Sequence, residues 1–154
     1  MFSIGDIICY PMHGVGIVKA IEQHTVLGEC GDYYSLSFSN GKMTALVPVA
    51  TAEKVGLRSL IAADECAGVI AYMQEEGERG SDNWNQRYRE NLEKLRSGNI
   101  YDVADVVKCL RLRESEKGLS AGERKMLVMA RSIIVSELSA VLDKESAYIE
   151  DQIG

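Results

Sequence analysis

The sequence predicts an α+β chain: a small antiparallel β-barrel or strongly curled sheet comes first, and a compact all-α helical bundle comes second. Three observations carry this. The only two prolines, Pro11 and Pro48, lie in the first third, where glycines punctuate apolar runs of strand length. After Gly56 the apolar spacing changes from alternation to a helical period. No internal repeat and no low-complexity tract interrupts either half. A β segment succeeded by an α segment implies two modules, expected over residues 1–55 and 56–154.

In the first module, DIICY, VGIVKAI, YYSLSF and MTALVPV are strand candidates rich in Val, Ile, Tyr and Phe. Asn40-Gly41 suits a tight turn with positive φ, so 33–38 and 43–49 read as a hairpin. Tyr34, Leu36 and Phe38 alternate with Tyr33, Ser35 and Ser37, giving one dry and one wet face. A unit this small buries little core alone and is expected to lean on the second module.

In the second module, Cys66, Val69, Ile70 and Met73 define a helix over about 60–76. The stretch from Glu76 to Gly80 breaks it, and Ser81 or Asp82 can cap a second helix that Ser97-Gly98 stops near 96. Val103, Val106, Val107 and Leu110 mark a third helix, ending before Gly118. Ser120-Ala121-Gly122-Glu123 has capping-box form and starts a fourth, with Leu127, Ala130, Ile134 and Leu138 on one face. A fifth is expected from about 139 to 151.

Composition narrows the function. The net charge is −6, which excludes a protein wrapped in positive charge but permits a local basic face. No apolar run is long enough to span a membrane, and the N-terminus lacks the form of a signal peptide, so a cytoplasmic location is expected. Cys9, Cys30, Cys66 and Cys109 form no CxxC pair and lie far from any histidine cluster, so free thiols and no metal are expected. The motifs of serine hydrolases, P-loop enzymes, zinc proteases and dinucleotide binders are absent. His13-Gly14-Val15-Gly16 leads into a strand rather than a helix and reads as a turn, not a phosphate loop. No catalysis and no cofactor are expected.

The charge is unevenly spread. Residues 1–60 carry four basic and five acidic side chains, a net −1, whereas residues 79–117 carry nine basic and seven acidic, a net +2. Within the basic stretch lies Trp84, the one tryptophan. It aligns with Tyr88, Leu92 and Leu95 on one helical face, as the head of a core stripe would. It also sits in the first helical turn with Arg87 and Asn91 flanking its face and Arg89 nearby. An apolar wedge beside basic residues is how minor-groove proteins open a base step. The residues alone leave both readings open, just as a solvated helical face accounts for the basic stretch.

The opening FSIGDIICYPMHGVGIVKAIE resembles the start of the CarD/CdnL family of bacterial transcription regulators, and a similar module occurs in the transcription-repair coupling factor. The run NWNQRYRENLEKLRSGNIYDVADVVKCLRLRESEKGLSAGERKMLVMARSIIVSEL resembles that family's C-terminal domain, and VPVATAEKVGLRSLI links the two. The resemblance implies a Tudor-like N-terminal barrel that binds the β subunit of RNA polymerase. It also implies a helical domain that contacts promoter DNA in the minor groove at the upstream edge of the transcription bubble. There Trp84 matches the wedge that helps hold the duplex open, and Arg87 and Arg89 match basic positions beside it; Asn91 completes the expected DNA-facing set. The polymerase-binding surface maps to the strand around Leu46, Val47 and Pro48 and to the neighbouring strand around His24 and Thr25. Some relatives carry arginines on these strands. Here His24 and Val47 offer a weakly charged contact, which favours strand addition and packing over ion pairs. A monomer that binds free DNA weakly is expected. The alternative is an adaptor whose helical domain recruits another protein instead of DNA.

Overall fold

A computed structural model of the chain describes residues 1–38 and 43–154. The expected Asn40-Gly41 turn lies outside the described residues. Five strands, β1 (Ile7–Tyr10), β2 (Gly14–Val26), β3 (Glu29–Phe38), β4 (Thr44–Pro48) and β5 (Arg58–Ser59), form one antiparallel sheet in the order β4-β3-β2-β1-β5. The alternation in β3 is as expected: Tyr34, Leu36 and Phe38 are buried with Ile8, Val18, Val47 and Leu57 in one core, and Tyr33, Ser35 and Ser37 face away.

β2 is longer than its apolar run suggests. It continues to Val26 and returns through Leu27 and Gly28, both at positive φ (52° and 82°), so that Val26 pairs with Glu29. Two positive-φ residues in a two-residue loop match the twist of the flanking strands, but a leucine at the first position is not the expected signal. The register shifts between Val18 and Ala20, which leaves Lys19 unpaired as a bulge and bends the long strand. The turn between β1 and β2 covers residues 11–13, with Met12 at positive φ; Gly14, Val15 and Gly16, expected in the turn, already pair with β1 as the start of β2.

The helical module contains α1 (Cys66–Gln74), α2 (Trp84–Ser97), α3 (Ile100–Lys117), α4 (Ala121–Leu142) and α5 (Ser146–Ile153). Four boundaries differ from expectation, among them the start of α5 at Ser146 rather than about 139. α1 begins only at Cys66, after a 3₁₀ turn over Ala63–Glu65. α2 is capped by Asn83 rather than Ser81 or Asp82; the Ser81 hydroxyl instead accepts the Asn83 N–H. α4 runs on to Leu142 because Ile133, Ile134 and Leu138 continue its buried stripe, and it ends where Asp143 turns left-handed at φ 53°. The core expected of α3 and α4 is present: Val103, Val106, Val107, Leu110, Ala130, Ile134 and Leu138 are buried with Val69, Met73, Leu95, Ile149 and Ile153. Among the described residues no helix is long and apolar enough to cross a membrane.

Sheet and helices are clasped together by an ion pair whose carboxylate is buried and whose guanidinium is partly buried. Arg58 of β5 donates to both carboxylate oxygens of Glu137 on α4, at 2.7 and 2.8 Å, and to the Gly98 carbonyl at the end of α2, at 2.8 Å. The fully buried Glu137 also accepts the Ile61 N–H at 2.9 Å. Beside this pair, burial and the nearby carboxylate push the Cys9 thiol up to about 12. Pro11 packs into the same seam. An added Cβ would meet its ring at 2.6 Å from Gly56 and 2.9 Å from Gly98, and both glycines are at positive φ. Only glycine meets both constraints.

Candidate nucleic-acid interface and sheet edge

The Asn83 side chain accepts the Gln86 N–H at 3.0 Å and starts α2, which puts Trp84 at its first position. Along the stripe, exposure falls from Trp84, 41% exposed, through half-buried Tyr88 and Leu92 to buried Leu95. The stripe is therefore core at one end and surface at the other. The Trp84 ring stacks on Tyr88 with centroids 4.9 Å apart and planes at 17°. Its indole N–H donates to the Ser120 hydroxyl at 3.1 Å. Ser120 caps α4, accepting the Glu123 N–H at 3.2 Å. The N-termini of α2 and α4 thus meet at Trp84.

Arg87 and Asn91 lie elsewhere than a DNA-facing role requires. Arg87 is 6% exposed. It donates to both carboxylate oxygens of buried Glu123, at 2.8 and 3.2 Å, and to the Ser81 carbonyl at 2.8 Å. The hydrogen bond to Glu123 raises its pKa further, so it stays charged. The capping box is therefore only half closed: Ser120 performs its part, but the Glu123 carboxylate turns to Arg87 instead of back to its own helix start. Asn91 is buried too and donates to Cys109 Sγ at 3.8 Å, while the Cys109 thiol donates to the Arg79 carbonyl at 3.3 Å. Both residues join α2 to its neighbours. Arg89, by contrast, is exposed.

Beyond the basic stretch of 79–117 lie four further cations, Arg124, Lys125, Arg131 and Lys144. Arg124 and Lys125 are exposed on the first turn of α4, directly after Ser120. The capping-box signal marks that turn in the sequence, but nothing local shows that α4 starts beside Trp84. Glu123 is neutralised by Arg87 and the first turn of α2 holds no acid; Arg89, Arg124 and Lys125 are exposed on these two helices, and Asp82 is exposed just ahead of the α2 cap.

The other candidate surface is the β4 edge. β4 pairs only with β3 among the described strands, Tyr34 opposite Val47 and Ser35 opposite Leu46. Val47 is buried in the sheet core and cannot meet a partner, whereas Leu46 is 51% exposed. Phe38 N–H donates to the Met43 carbonyl, and bonds in an antiparallel ladder alternate. The backbone groups of Thr44 and Leu46 therefore point to the open edge, as does the Pro48 carbonyl. Proline is tolerated at such an edge because no ladder bond needs its missing N–H. His24 and Thr25 are not on a neighbouring strand: they lie on β2, with β3 between them and β4. His24 pairs with Gly31 in the projecting β2–β3 hairpin and contacts the Glu22 carboxylate at 2.8 Å.

Two family models divide the chain between them. The CarD-like/TRCF RID domain matches residues 2–61, and the CarD C-terminal domain matches residues 68–154. The chain belongs to the CarD family. It is 36% identical over 141 residues to the "Putative transcription factor YdeB" of Bacillus subtilis (strain 168), with 92% of each chain covered. The solution NMR structure of the 72-residue N-terminal domain of Myxococcus xanthus CarD aligns at 25% identity and a TM-score of 0.34, covering 38% of this chain and 79% of that one. The role of this CarD-family chain is accordingly one associated with transcription.

Proposed function

We propose that this protein binds the RNA polymerase β subunit through the β4 edge and contacts promoter DNA through the Trp84 corner, stabilising the open complex at initiation. The observation that carries the reading is the half-exposed, stacked Trp84 ring, held where two helix N-termini meet, on helices that also expose Arg89, Arg124 and Lys125. A flat apolar ring beside cations suits a partly unstacked step in the minor groove. Arg87, Asn91 and Val47 act behind these surfaces, by holding α2 and the sheet in place.

The energetics suit a tethered protein. The exposed cations are spread over the surface of an acidic chain of net charge −6, so few phosphates are neutralised together and binding to free DNA is weak. Attachment to polymerase supplies the effective concentration that charge does not. The open complex gains only if the ring binds it better than the closed one, and stacking against an unstacked base supplies such a difference, about 1–3 kcal/mol.

Open-complex lifetime on a promoter, with wild type and Trp84→Ala, tests this. The variant is expected to be captured normally by polymerase and to shorten the lifetime about thirtyfold, the middle of that range. An unchanged lifetime sinks the DNA role. Val128 and Met129 remain exposed on α4 beyond Arg124 and Lys125, which would suit an adaptor that recruits another protein. Footprinting separates the two: added protection at the upstream edge of the bubble belongs to the DNA reading alone.

A further inference from the structure

Trp84 is held at three points. The Ser120 hydroxyl takes its N–H, Tyr88 covers one face, and Gly122 lies under the benzo edge, where an added Cβ would stand 3.8 Å from Cζ2 and 3.7 Å from the Tyr88 ring. What remains open is the opposite face and edge of the indole. The Ser120 oxygen accepts from two donors, the Trp84 indole and the Glu123 backbone, which is the full acceptor capacity of a hydroxyl. One atom therefore both starts α4 and fixes the ring of α2. The reciprocal stitch runs from Glu123 of α4 to Arg87 of α2.

We propose that Ser120 is a positioning residue: its hydroxyl presents the Trp84 ring in the orientation in which it enters DNA, so that the wedge is preset rather than swung out on binding. This rests on the DNA role proposed above. The physical ground is pre-organisation. A free indole on a helix start samples several rotamers, and binding must then immobilise one. A ring already bonded and stacked has little left to lose. Swinging out would break the N–H···O bond and uncover the face that Tyr88 shields, both unfavourable before any DNA contact forms.

Because Trp84 is the one tryptophan, emission excited at the red edge of its absorption, where the seven tyrosines do not absorb, reports on this ring alone. Ser120→Gly removes the acceptor yet preserves most of the helix cap, since glycine at that position costs only a few tenths of a kcal/mol. In the full-length protein, Ser120→Gly should lower the anisotropy of tryptophan emission. With polymerase and promoter it should shorten the open complex roughly three- to tenfold, the worth of one hydrogen bond. Ser120→Thr, which keeps an oxygen acceptor, should restore both. In a Trp84→Phe background, where no N–H exists, Ser120→Gly should have no further effect on lifetime; a purely structural loss would persist there. A lifetime that Ser120→Gly leaves unchanged while Trp84→Ala shortens it overturns the proposal. A lifetime that Ser120→Gly lengthens also overturns it, because the bond would then restrain the ring. Should Trp84→Ala itself change nothing, the DNA role falls, and the anisotropy of Ser120→Gly still decides whether Ser120 holds the ring.

Discussion

The β4 edge and the Trp84 corner offer themselves to partners by opposite means. At β4 the exposed groups are backbone N–H and C=O, set in register by pairing with β3, and the side chains alternate between core and solvent. At the corner, the backbone is consumed by helix starts and caps, and a single ring with a few cations remains outside. An edge of this kind tolerates changes of side chain and is sensitive to changes in backbone bonding. A corner of this kind is the reverse: backbone variation matters little, whereas one ring or one hydroxyl matters much.

Both surfaces depend on the clasp between them, and breaking it should have the largest effect. Glu137→Ala leaves Arg58 partly buried without its carboxylate and strips the Ile61 N–H of its acceptor. Removing one partner of a buried pair costs about 3–5 kcal/mol, so a marked fall in the midpoint of thermal unfolding is expected. An unmoved midpoint would show that sheet and helices hold their arrangement without it. Leu46→Pro sharpens the contrast at the edge. It removes an outward N–H that no internal ladder bond uses, so stability should change little while capture of the β subunit weakens about tenfold, the worth of one buried, unsatisfied acceptor on the partner. If Leu46→Asp proves worse than Leu46→Pro, side-chain packing rather than strand addition governs the edge.

The smallest effect concerns the thiols. Cys30 is exposed on the projecting hairpin, whereas Cys9, Cys66 and Cys109 are buried. At mildly alkaline pH an aromatic disulfide reagent should label Cys30 rapidly and the rest only on unfolding. Cys9 also ties stability to pH. Its folded pKa, about 12, lies above the ordinary thiol value of 9.0. Its contribution to stability is thus complete below about pH 9 and is lost as pH rises towards 12. Replacing Cys9 with Ala should flatten this part of the alkaline stability profile.

The order of sheet and helices was legible because both depend on local periodicity: Tyr34, Leu36 and Phe38 in β3, and Val103, Val106, Val107 and Leu110 in α3. Trp84 was legible for the same reason, as the end of a stripe that outruns its core. Arg87 and Asn91 were misplaced because their surroundings come from α3 and α4. Nothing near Arg87 in sequence announces that Glu123 will leave its capping box to bind it. Val47 was misplaced by one residue of register, since Leu46 and Val47 point to opposite faces and only the pairing with β3 decides which is dry. The length of β2 was hidden by a turn at Leu27-Gly28 that lacks the usual residues. Arg58 and Glu137 stood out in neither module, because their chemistry exists only where the modules touch.

That last pair bears on how the two halves can be recombined. Arg58 lies with the N-terminal family match and Glu137 with the C-terminal one. A chimera that joins this sheet to a helical domain without a carboxylate at the position of Glu137 would strand a guanidinium in the seam. Each half of such a chimera could have an intact core and a correct surface, yet the β4 edge and the tryptophan would no longer be held at a set distance. The modules are separable in sequence, but as parts they are keyed to each other.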